Sequence, residues 1–63
     1  MDPFAVKLTD AQITAIQKRL MCNALTGSMD EETTARLRGW QLVNGLPVTG
    51  VVDRATAQGL GQL

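Results

Sequence analysis

Three consecutive acids, Asp30-Glu31-Glu32, form the densest cluster of reactive side chains in this 63-residue chain. Paired carboxylates can act as general acid and base in glycoside hydrolysis when they face each other across a cleft. Successive residues of a helix point in different directions, and so short a chain offers little cleft. The same acids also stand where a helix start favours negative charge. Catalysis is therefore not expected. The sequence has no His, which excludes a Ser-His triad and a conventional His-based metal site. No cofactor is expected.

A second group of residues suits recognition. Trp40 and Phe4 are the only aromatics, too few for a platform of several stacked rings. The Trp40 indole could stack on a pyranose ring or fill a small core. Arg36 and Arg38 could form a solvated face or grip a carboxylate in bidentate fashion. Asn23 and Asn44 fall at helix ends, where Asn tolerates the left-handed conformation. Cys22 is the only cysteine, which rules out an internal disulfide; it is expected to be a small, partly buried hydrophobe.

Composition narrows the class further. The formal net charge is zero, which argues against a nucleic-acid partner and against docking on acidic membranes. No apolar run approaches the roughly 18 residues of a bilayer span. The start, Met1-Asp2-Pro3-Phe4, is acidic and lacks the apolar stretch of a signal peptide. Residues 1–7 are taken as an N-terminal tail or expression remnant, and 8–63 as one small, monomeric domain.

The elements that position these residues follow from a repeat. Thr26-Gly27-Ser28-Met29-Asp30 to Leu37 matches Thr49-Gly50-Val51-Val52-Asp53 to Leu60 at a spacing of 23 residues. Gly27 and Gly50 suit tight turns. Asp30 and Asp53 suit helix N-caps, with Thr33 and Thr56 at the third helical position. Met29 and Val52, just before the caps, can fold back over each new helix. The repeated unit is a turn followed by a helix start. A first helix is predicted over about 10–21, capped by Thr9 with Gln12 as its capping-box partner and Leu8 stapled onto Ile13. Its apolar stripe is Ile13, Ile16 and Leu20, with Met21 at the edge. A second helix is predicted from Glu31 to Val43 or Asn44, with Leu37 and Trp40 on its inner face and Val43 or Asn44 one turn on. Gly45 is expected past its end, Leu46 as the closing contact, and Pro47 prevents continuation. A short third helix is predicted from Arg54 to Leu60, weakened at its end by Gly59 and Gly61. The expected fold is all-α, a compact three-helix bundle with an internal loop-helix repeat.

The words Ile16-Gln17-Lys18-Arg19-Leu20, Thr26 to Thr33, Trp40-Gln41, Asn44 to Gly50 and Val51 to Leu60 together resemble the type 1 peptidoglycan-binding domain. The resemblance covers about Leu8 to Leu60. Asp30 and Asp53 replace the second glycine of each family turn, Trp40 replaces the usual Phe, and the family's Gly-aromatic pair after helix 1 is missing. The resemblance implies a non-catalytic module that holds a tethered wall hydrolase, such as a phage endolysin, on peptidoglycan. The gain would come from effective concentration. Action would be at the cell wall or periplasm. Without a signal peptide, the chain would be cytoplasmic before lysis or part of a larger exported protein. Gln17 and Gln41 occupy the family's glutamine positions and are expected to bond loop backbone; Gln41 could also touch ligand. The expected binding groove, for glycan or stem peptide, lies near Arg38, Gln41 and Asn44, bordered by Trp40. The chain also resembles the pro-domain of matrix metalloproteinases, but lacks that family's inhibitory cysteine segment after helix 3. A protein–protein module without wall binding is the other reading.

Overall fold

A computed structural model describes residues 5–62. Met1 to Phe4 of the expected tail, and Leu63, lie outside the described residues. The element order is α1 (Asp10–Arg19), α2 (Glu31–Val43) and α3 (Arg54–Gly59). Among the described residues there is no strand, and the all-α three-helix fold expected from the sequence is the one observed.

Each helix starts where its local chemistry places it. Thr9 caps α1 in a full capping box: its hydroxyl accepts from the Gln12 N–H at 3.1 Å and its own N–H donates to Gln12 Oε1 at 2.8 Å. Asp30 and Asp53 cap α2 and α3, each accepting from the N–H three residues on at 2.9 Å. These bonds satisfy donors that no helical carbonyl can reach.

The helices end alike. Met21, Gly45 and Gly61 each follow a C-cap with φ of 60°, 70° and 77°. The next amide folds back in all three, Cys22 N–H to Gln17 O, Leu46 N–H to Gln41 O and Gln62 N–H to Ala57 O, each at 2.9 Å. This is the double-bonded left-handed cap that glycine favours. Gly45 stands where the sequence places it, and Leu46 closes the cap. Helix α1 stops earlier than expected, because Met21 takes the left-handed position instead of extending the helix. Asn44, by contrast, is not left-handed: it is the C-cap, with φ −91°, and its Nδ2 donates to the Trp40 carbonyl at 2.8 Å. The Asn23 amide is likewise drawn elsewhere, to Glu32 at 2.9 Å.

The core is small. Ile16, Leu20, Leu37, Val52, Ala57 and Leu60 are buried, with Val6, Leu8, Cys22, Met29 and Trp40 packed around them. Neither Val43 nor Asn44, the two alternatives for the inner face of α2, is buried: Val43 is 85 % exposed and Asn44 is exposed too. The inward row is Thr33, Leu37 and Gln41, each one turn after the last. Val6, assigned above to a tail, belongs to the fold: its N–H donates to Val52 O at 2.8 Å and its side chain packs on the core.

Candidate functional site

Five of the buried residues are polar: Gln17, Thr33, Gln41, Asp53 and Thr56. Burying such groups without partners would be costly in so small a core. Among the described residues no buried side-chain nitrogen or oxygen lacks a partner. The two glutamines account for much of this. Gln17 Nε2 lies 2.9 Å from Thr26 Oγ1, Ser28 O and Thr33 Oγ1, while its Oε1 accepts from Gly27 N–H. Gln41 Nε2 reaches Thr49 Oγ1, Val51 O and Thr56 Oγ1, and its Oε1 accepts from the Thr49 and Gly50 N–H groups. Each glutamine thus locks the turn that launches the next helix, and its backbone carbonyl closes the cap of its own helix. Ala57 holds the equivalent place in α3.

The acids likewise serve the scaffold. The Thr33 hydroxyl and N–H and the Thr26 hydroxyl all donate to Asp30 and hold its carboxyl below its ordinary value of 3.8. Glu32 accepts from the backbone N–H of Asn23 at 3.0 Å, and from Ala24 N–H and Arg36 more loosely. The Asn23 bond leads in lowering its pKa from 4.5. Glu31 is exposed. The three carboxylates therefore do not form a facing pair with a shared cleft.

The duplicated turns differ in what covers them. A Cβ on Gly27 would stand 3.3 Å from Thr14 Oγ1, whereas one on Gly50 would stand 2.8 Å from Arg38 Nε. Arg38 and Thr14 are equivalent positions, 24 residues apart. At the second turn the guanidinium lies against a bare glycine.

A groove of about 390 Å³ opens there. Val6, Leu8, Ile13, Met29 and Val52 give it an apolar wall, and Thr34, Arg38, Thr49 and Gly50 a polar one. Ile13 lines this groove rather than the buried core. Among the described residues Arg38 has no acidic partner; the single ion pair is Arg36–Glu32 at 3.4 Å. A shallower trough of about 350 Å³ lies elsewhere, with Arg36, Gly39, Trp40 and Val43 of α2 meeting Arg19, Leu20 and Met21 at the end of α1.

The four residues expected to share one groove are thus divided. Arg38 lines the larger groove, Trp40 the trough, and Asn44 neither. Gln41 is fully buried beneath the Thr49–Gly50 turn. Positions 38 and 40 are two apart on a helix, which turns them to different sides. Trp40 is half-buried against the core. Its ring edge fills the space that Gly59 leaves, since a Cβ there would be 2.7 Å from it.

A family profile described as "Putative peptidoglycan binding domain" matches residues 9–60. The chain belongs to this peptidoglycan-binding family. The match runs from the Thr9 cap to Leu60 and takes in both glutamine-locked turns. Comparison with curated proteins and with solved structures gives no match. At the level of the family, peptidoglycan is the ligand, the role is binding, and the place of action is related to the cell wall. Among the described residues no group of side chains could hold a metal ion, and no helix is long and apolar enough to cross a membrane.

Proposed function

We propose that this domain holds a lytic enzyme on peptidoglycan by seating a stem peptide in the groove beside Arg38. The observation that carries the reading is the Arg38 guanidinium, without an acidic partner among the described residues, in the polar wall of a groove whose other wall is apolar. Stem peptides combine short alkyl side chains with carboxylates. The apolar wall suits the former, and a guanidinium suits the latter through paired N–H donors. Gln41 is a positioning residue in this scheme, fixing the Thr49–Gly50 turn beneath the ligand. Asn44 lies outside the contact. A tethered catalytic domain then meets its insoluble substrate repeatedly, because each new encounter is intramolecular. The module acts at the bacterial wall, as in an endolysin or an exported hydrolase.

The test is co-sedimentation with washed peptidoglycan sacculi at physiological salt. The domain is expected in the pellet, and Arg38→Ala is expected to lower retention about tenfold or more with no change in Tm. Asn44→Ala is expected to leave retention unchanged. Retention no greater than that of an unrelated helical protein of this size would overturn the reading. Normal binding by Arg38→Ala would place the contact elsewhere.

A further inference from the structure

Among the described residues nothing requires position 39 to be glycine. It stands inside α2, and its φ is not left-handed, unlike that of Gly27, Gly45, Gly50 and Gly61. A Cβ added to it would meet nothing within 4 Å among the described residues, whereas Gly59 makes room for Trp40. A glycine inside a helix costs about 1 kcal/mol relative to alanine, and no internal contact offsets that loss.

Gly39 lines the shallow trough with no side chain to fill it. Arg36, Gly39, Trp40 and Val43 fall at i, i+3, i+4 and i+7, a single face of α2. Val43 and Met21 stand 85 % and 78 % exposed at its sides. Arg36 and Arg19 bring N–H donors to it, and Arg19 has no acidic partner among the described residues. The occupant must be flat enough to lie over bare helix, apolar on the face toward the indole, and rich in acceptor oxygens at its rim. A pyranose ring has that form: a C–H face bordered by hydroxyl and acetamide oxygens. Arg36 already meets Glu32 Oε2 at 3.4 Å and the Leu20 carbonyl at 3.5 Å, so a purely apolar partner would leave the Arg19 guanidinium without an acceptor.

We infer that the trough over Gly39 is a glycan subsite that takes an N-acetylhexosamine ring, with Trp40 as its floor and Arg19 and Arg36 as donors. The inference rests on the wall-binding reading and adds a sugar contact separate from the stem-peptide groove.

Trp40 is the only tryptophan, so its fluorescence reports on this site directly. Titration with a soluble N-acetylglucosamine tetramer is expected to give a saturable change in emission. Gly39→Gln, which places a long side chain over the trough, is expected to weaken that binding about tenfold while Tm stays equal or rises. Absence of a saturable change, or an unaltered titration in Gly39→Gln, would overturn the subsite. If the domain sediments with sacculi yet ignores the tetramer, the subsite falls and wall binding stands. If it does neither, both fall. A concentration-dependent dimer that Gly39→Gln abolishes, with no sugar response, would reassign the trough to a second copy of the chain.

Discussion

The Arg38 guanidinium rests on Gly50 so closely that a Cβ at Gly50 would stand 2.8 Å from Nε. Glycine at the second turn therefore answers two demands, the φ of +75° and room for the exposed Arg38 guanidinium, which would have to swing aside for a Cβ. Gly45→Ala faces only the first demand, since among the described residues nothing lies within 4 Å of a Cβ there. Both substitutions are expected to cost about 1–2 kcal/mol from the left-handed backbone. Only Gly50→Ala is expected also to displace Arg38 and lower retention on sacculi. Chemical denaturation and co-sedimentation of the two variants check this; equal retention would separate Arg38 from binding.

Gln17 and Gln41 are the other shared requirement of the two turns. Replacing either by Ala leaves turn N–H groups, a carbonyl and buried threonine hydroxyls without partners, and opens a cavity. The expected loss is about 3–5 kcal/mol, comparable with the whole stability of a domain this small. Urea titration followed by circular dichroism measures it. A loss below about 1 kcal/mol would show that the turns hold without their glutamines.

These two positions also mark how far the sequence carried the structure. The caps were legible because donor and acceptor are three residues apart, as in Thr9 with Gln12 and Asp53 with Thr56. The repeat was legible for the same reason. The glutamine locks join residues 8 to 16 apart, and their full partner set exists only once the turn has folded over the helix. Family positions pointed to Gln17 and Gln41, but not to the matching cages. The inclusion of Val6 could not be read from local pattern, because its partner Val52 is far along the chain. The division of Arg38 from Trp40 was legible in principle, since two helical residues two positions apart do not share a face.

Met21 is the one described residue other than glycine with positive φ, at 60°. Its side chain is largely exposed and contributes little packing to offset that backbone. Met21→Gly is expected to raise stability by about 1 kcal/mol, read as an increase in the denaturation midpoint. A decrease would mean that Met21 packs usefully against the trough.

Acid should loosen the turn that launches α2. Asp30 and Glu32 both have pKa values lowered by folding, so the unfolded chain binds their protons more tightly. Their contribution is complete above the ordinary values of 4.5 and 3.8, and is lost as pH falls through and below that range. Glu32→Gln is expected to flatten part of the decline, as measured by denaturation midpoints from neutral pH downward. An identical acid profile in the variant would exclude Glu32 as a contributor.

The most direct test of stem-peptide recognition is a titration of the ¹⁵N-labelled domain with a soluble stem tetrapeptide, followed by amide and arginine side-chain shifts. Saturable shifts are expected at Arg38 Nε–H, Thr34 and the Gly50 amide, with α3 little affected. Shifts confined to other surfaces, or none at concentrations where the domain still sediments with sacculi, would contradict it.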